Sequence, residues 1–213
     1  MATLSLKPLA SIFVFSVVLM ACNSSEKVFI TPLKTAITSS DNHVLVITKV
    51  KKPWYAWRGL VAGKMEESIP EYQAIHGLSK KFYSFTANHN YFGGIYLWKE
   101  KTDAEKWFNP TWFERTEKKY GKKGEVLYYT IEKVTEYATP NQPKGRFWAV
   151  ISDENSVNSE AKGLLTLLSL KDAQNKSCFL SIWQNEDSAK NYFKDSKQIH
   201  EEFDIPLIIT CSK

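Results

Sequence analysis

YSFTANHNYFGGIYLWKEKTDAEKWF, residues 83–108, and LSLKDAQNKSCFLSIWQNEDSAKNYF, residues 168–193, align without a gap at an offset of 85. Ser84 meets Ser169, Asn90 meets Asn175, Trp98 meets Trp183, Ala104 meets Ala189 and Phe108 meets Phe193. Each copy reads as strand, turn, strand, helix. In the first, Leu78 to Thr86 is β-rich, Asn88-His89-Asn90 is turn chemistry, and Phe92 to Lys99 is a second β-rich run. Thr102-Asp103-Ala104-Glu105 then has the form of a capping box opening a helix with Ala104, Trp107 and Phe108 inward.

Working outward, Val44 to Val50 predicts a strand, and Trp54 to Ile69 predicts a helix that Pro70 interrupts. Pro110 kinks the later helix or starts a new one to Tyr120, and Val126 to Val134 is another strand. The order is β-α-β-β-α-β, the ferredoxin-like unit. Thr139 to Gly145 has linker composition. A reduced copy follows. It comprises a strand at Phe147 to Ser152, a short helix at Asn158 to Leu165, paired strands at Leu167 to Lys171 and Ser177 to Trp183, a helix at Asp187 to Phe203, and a strand at Leu207 to Thr210. The expected fold class is α+β. Two tandem ferredoxin-like (βαββαβ) units place their apolar sheet faces together, giving a single-chain version of a dimeric α/β barrel and a monomer with pseudo-dimeric halves.

The start of the chain is of another kind. Leu9 to Ala21 is almost wholly apolar, too short for a spanning helix and suited to the h-region of an export signal. It ends in Leu19-Met20-Ala21-Cys22, which resembles a bacterial lipobox. The expected organisation is a signal peptide at 1–21, a tether at 22–42 lipidated on Cys22, unit one at 43–138, a linker at 139–146 and unit two at 147–213. Such a chain is held to a membrane of the cell envelope through its lipid, facing the periplasm or exterior. Removing residues 1–21 takes away Lys7 and lowers the formal charge from +5 to +4. That mild basicity suits a nearby anionic surface and does not indicate nucleic acid. The densest basic runs are Lys49 to Lys52 and Lys118 to Lys123.

The stretch Ser68 to Phe82, then Phe92-Gly93-Gly94-Ile95-Tyr96-Leu97-Trp98, Ala104 to Phe108, Trp112, Tyr120-Gly121 and Val126 to Val134, resembles the YdhR-type members of the antibiotic-biosynthesis-monooxygenase-like dimeric α/β barrels. The resemblance spans about Val44 to Tyr137, and the second half is assigned from the repeat alone. Many relatives carry Pro where this chain has His76. The resemblance implies the barrel fold and a monooxygenase-like oxidoreductase activity. Related barrels oxidise aromatic or quinone-forming substrates with molecular oxygen and no bound cofactor. Others degrade haem with an Asn, a Trp and a His, for which no matching motif is present.

Strand parity nominates a cavity. Ile95 and Leu97 share one face, and Tyr96 and Trp98 the other. With the aliphatics under the helices, Tyr96, Trp98, Ser181 and Trp183 would point between the sheets, as an aromatic cleft for a flat ligand. Tyr83 and Phe85 alternate with Phe82 and Ser84, and parity leaves open which pair points in. His76 is the candidate base, with a pKa range suited to proton transfer, against the plainer reading of a surface turn histidine. Arg58, beside Trp54, Tyr55 and Trp57, could hold an acidic group of a ligand. No histidine spacing and no Cys pair suits a metal. Cys178 and Cys211 fall on strands separated by a third, beyond disulfide reach, so two free thiols are expected. Three functions remain open: a cofactor-free oxygenase for a small aromatic compound, a non-catalytic binder of a small hydrophobic or aromatic ligand, and an envelope interaction module.

Overall fold

The computed structural model describes residues 30–38, 43–140, 142–153, 157–158 and 161–211. Residues 1–21 and Cys22 lie outside these. Among the described residues the elements are, in order, β1 (Ile30–Thr38), β2 (Val44–Lys51), α1 (Arg58–Glu67), α2 (Ile69–Gln73), β3 (Leu78–Thr86), β4 (Tyr91–Trp98), α3 (Lys101–Trp107), α4 (Pro110–Tyr120), β5 (Glu125–Pro140), β6 (Lys144–Ser152), β7 (Leu164–Lys171), β8 (Ser177–Trp183), α5 (Glu186–Phe193) and β9 (Ile199–Thr210).

The strands run β1-β5-β2-β4-β3-β9-β6-β8-β7, and β7 pairs back onto β5. Eight of them, β2 to β9, therefore form a closed antiparallel barrel. Within β2 to β5, and again within β6 to β9, the fourth strand lies beside the first, then the third, then the second. The pairs β3–β9 and β5–β7 join these two sets. The long β5 is shared. Its start pairs with β2 and its end with β1 on one edge, while β7 takes the other edge.

Cross-strand partners share a face, so register locates the core. Leu127, Ile47, Ile95, Phe82 and Ile208 lie side by side across five strands. Val134, Leu168, Leu180 and Ile151 continue the same face. This face carries one buried cluster, with Leu45, Leu97, Phe147, Ile182, Phe203 and Ile205 among its members. The opposite face packs against helices: Val46, Tyr96 and Trp98 against Val61, Met65, Ala104, Phe108 and Trp112 in one half, and Trp148 and Trp183 against Ala189 and Phe193 in the other. The aliphatic face is thus the barrel interior and the aromatic face lies outside it, beneath the helices. An eight-stranded barrel leaves inside only the width that side chains fill. Branched aliphatics with Phe82, Phe147 and Phe203 fill that width, and the buried tryptophans Trp98, Trp148 and Trp183 occupy the slot between sheet and helix.

Five local expectations change. Residues 30–38, read as tether, form β1 against β5. The helix expected at Asn158 to Leu165 is absent over its described part, where Lys162 and Gly163 form a turn and Leu164 opens β7. The helix expected to Phe203 stops at Phe193, because Phe203 and Ile205 are drawn into β9 between β3 and β6. Thr102 does not cap α3: the helix starts at Lys101, and its N-cap residue, Glu100, makes no side-chain cap bond. Pro110 does open a separate helix, capped by Asn109, whose side chain accepts from the Trp112 amide. Strands β5 and β6 also reach into the segment read as linker, leaving residues 141–143 between them.

Candidate functional site

Residues 81, 83 and 85 of β3 point toward the helices. Lys81 is therefore placed where its neighbours on that face are aromatic, and it is 2% exposed. Directly across, β4 supplies Tyr96, the cross-strand partner of Lys81. Above them the single turn α2 lowers Tyr72 onto the sheet. The Lys81 Nζ lies 2.9 Å from the Tyr72 ring centroid, 3.7 Å from that of Tyr83 and 4.9 Å from that of Tyr96. Tyr72 meets Tyr83 edge-on at 5.7 Å and also contacts Trp107 at 5.8 Å, while Tyr96 meets Phe108 at 5.3 Å.

Close backbone packing makes the space. A β-carbon on Gly94 would stand 2.9 Å from the Tyr96 ring and 3.0 Å from Lys81 Cε, and one on Gly93 only 2.0 Å from the Thr48 carbonyl oxygen. Thr48 Oγ1 accepts from the Gly94 amide at 3.1 Å and also bonds the Tyr96 hydroxyl. Tyr96 bonds Tyr72 in turn. Ser68 donates to the Met65 carbonyl at 2.7 Å, so the Tyr83 hydroxyl, 3.0 Å away, donates to Ser68.

The electrostatics follow from burial. Taking the Lys81 ammonium out of water drives its pKa well below the ordinary 10.5, against the opposing pull of Glu71 and Cys211. Burial likewise raises the phenols of Tyr72, Tyr83 and Tyr96. Burial thus favours protonated phenols and disfavours the charged form of the Lys81 amine. A neutral amine has a free lone pair and serves as a base or nucleophile. Ring faces stabilise the ammonium once a proton is taken.

Next to this chamber, a cavity of about 300 Å³ opens at one end of the barrel. Ile69 and Gln73 of α2 line it, together with the interior residues Phe82, Leu165 and Ile182 and the neighbouring Ile208. An ion pair between Lys80 and Glu136 spans it, with both side chains about one-fifth exposed. The helix α2 thus stands between the cavity and Lys81. At the other end of the barrel, Lys49 points inward and bridges Glu125 and Glu201 at 3.2 Å each. Burial opposes its charge, but those two carboxylates hold its pKa above the usual value. Tyr129, facing the same interior, is pushed up to about 12 by burial.

The nominated residues divide. Tyr83 and Tyr96 belong to the Lys81 cluster, and Trp98 stacks beside Tyr96 at 6.4 Å. Tyr96, Trp98 and Trp183 do not point between the sheets: they are buried under the helices, and Trp183 packs on Tyr192 and Phe193 of the other half. Ser181 lies on that outer face too, accepting from the Trp183 indole at 2.8 Å. His76 is at the surface, its side chain 89% exposed and 3.3 Å from Asp103. Arg58 is held by Asp204 through two hydrogen bonds of 2.5 and 2.9 Å, and its guanidinium lies over Phe85. Cys178 lies in the barrel interior and Cys211 under the helices, both free. Lys81 and Tyr72 had not been singled out. The available signal was parity: a lysine alternating with Tyr83 and Phe85 on a strand.

A closed antiparallel α/β barrel with helices on its outside defines the class. No known family matches the sequence, and no curated protein does. Solved structures share the fold. One is a candidate monooxygenase from Fusobacterium nucleatum subsp. nucleatum, 11% identical, with a TM-score of 0.56 over 79% of this chain and 94% of that one. Another is an anthrone oxidase-like protein, 9% identical, with a TM-score of 0.56 over 84% of this chain and 98% of that one.

Proposed function

We propose that this chain is an envelope-anchored, cofactor-independent oxygenase that oxidises a small aromatic compound of the phenol, hydroquinone or anthrone type. The names of the two proteins that share its barrel support the reaction class. The observation that carries it is the Lys81 amine, buried among three tyrosine rings. Such substrates react with oxygen only as anions, so the first need is a base in a dry site. Neutral Lys81 takes the acidic proton, and the ring faces hold the resulting ammonium. The carbanion joins molecular oxygen to give a peroxide anion. Lys81 returns its proton to that anion, and loss of water leaves the ketone: R2CH2 + O2 → R2CO + H2O. The substrate enters from the adjoining cavity as α2, one turn bounded by Ser68 and Ala74, lifts Tyr72.

On this reading the two strand sets are ferredoxin-like units in tandem, the first of YdhR type and the second a degenerate repeat. The lipobox-like run makes Cys22 the lipid-bearing first residue of the mature protein. Oxygen uptake with anthrone and a panel of hydroquinones tests the activity. Lys81→Met should lower the rate by about 10²-fold or more, the usual contribution of a general base. Uptake no faster than in buffer removes the enzyme assignment. The 300 Å³ cavity favours a second reading, a non-catalytic binder of a small apolar ligand. Saturable binding of an unreactive aromatic, abolished by Ile182→Trp and without oxygen uptake, would select it.

A further inference from the structure

The turn between β2 and α1 carries the most exposed apolar side chains described: Trp54 at 94%, Trp57 at 69% and Tyr55 at 62%, with Leu60 a turn later. These rings are held outward by a fixed backbone. Lys52 Nζ donates to the Ala56 carbonyl at 2.7 Å, the Ala56 amide donates to the Pro53 carbonyl at 3.0 Å, and Arg58 is clamped to Asp204. Trp54 and Tyr55 meet edge-on at 5.9 Å. Rings of this size normally contribute most of a core's burial, so a pinned loop that withholds three of them from the core is built for another phase.

Charge at the same end of the barrel says which phase. The loop follows Lys51, the last residue of β2. The end of α4 sits beside it: Phe92, the cross-strand partner of Val50, contacts Tyr120 at 5.3 Å, and a β-carbon on Gly124 would touch Val50. The basic run Lys118 to Lys123 therefore lies beside the end of β2, from which Lys51 and Lys52 lead into the aromatic loop. Of the nearby acids, Glu125 and Glu201 are engaged by Lys49, Asp204 by Arg58, and Glu117 by Lys123 of the same run. Lys118, Lys119 and Lys122 stay exposed to solvent.

We infer that Trp54, Tyr55 and Trp57, with the basic rim beside them, dock the barrel onto an anionic lipid bilayer at the headgroup level. Amphipathic rings concentrate at that depth, and each lysine near an anionic surface adds to the attraction. The assignment does not depend on lipid at Cys22. Ile30 pairs with Pro140, at the far end of β5 from Glu125. A membrane attachment through residues before Ile30, combined with the loop, lays the barrel along the bilayer instead of standing it on one end.

The test uses the full chain reconstituted in phosphatidylglycerol–phosphatidylethanolamine vesicles, with and without brominated acyl chains. Subtracting the emission of a Trp54→Ser/Trp57→Ser variant from that of the parent isolates the loop tryptophans. The expected result is a blue-shifted difference spectrum, quenched severalfold by brominated lipid, with the quenching weakened by Lys118→Glu/Lys122→Glu. A difference spectrum that brominated lipid leaves unchanged and aqueous iodide quenches fully would overturn the inference, and would leave the loop to a protein partner. Mass measurement of Cys22 on the same sample reports the lipid anchor separately.

Discussion

Lys81 contributes a pH-dependent term to the stability of the fold. Its folded pKa is depressed by burial while the unfolded value stays at 10.5. Between those two values the unfolded chain binds a proton that the folded chain does not, so stability rises with pH across that window. Denaturant titrations at stepped pH should show this rise up to about pH 10 in the parent. In Lys81→Met, which keeps length and apolarity, the rise should flatten and the midpoint at neutral pH should increase. A parent profile that falls over the same range would contradict a buried neutral amine. Sequence alone pointed to Tyr83 and Tyr96 as site residues through their alternation on strands. It missed Lys81, because nothing local distinguishes Lys81 from the adjacent, more exposed Lys80. Only the closure of α2 over the sheet makes one of them a buried amine, leaving the other at the cavity mouth.

At the scale of elements, the capping signals separate into used and unused. The Asn109 and Asn185 side chains each accept from the backbone amide of the third residue of their helices, Trp112 at 3.1 Å and Ser188 at 2.8 Å. Asn109→Ala and Asn185→Ala should each cost about 1 kcal/mol in chemical denaturation. Thr102→Ala should cost far less, because Thr102 lies inside α3 and its hydroxyl caps nothing. The helix predicted from Asp187 to Phe203 ends early, at Phe193, for a related reason. Glu201 and Glu202 are helix formers, and local propensity extends the helix through them. Pairing with both β3 and β6 overrides that preference, since Phe203 and Ile205 are buried in the barrel only as alternate residues of a strand. The helix predicted from Trp54 starts only at Arg58, because the rings of Trp54, Tyr55 and Trp57, spaced like core residues, face out.

For the whole molecule, the interior is a joint product of both strand sets, so neither set should unfold alone. Leu180 is fully buried against Ile151 and Leu168. Leu180→Ala should lower stability by about 3 kcal/mol in a single transition reported equally by tryptophans of both halves. Two separated transitions would show that the halves hold independent cores. Cys178 offers a second gauge of the same interior. Burial pushes its thiol up to about 11 from 9.0, so labelling at pH 8 should be at least two orders of magnitude slower in the folded protein than in the unfolded one.

From the sequence by itself came the order of strands and helices in the first half, the internal repeat and the turn at Asn88 to Asn90. These rest on local periodicity, turn chemistry and composition, which act over a few residues. Tertiary structure decided which face of the sheet is the inside. Parity pairs Tyr96 with Trp98 and Ile95 with Leu97, but it is symmetric between the two faces. The symmetry is broken only when eight strands close and the narrow interior admits the aliphatic set. The aromatic set is left beneath the helices, and with it the buried amine of Lys81.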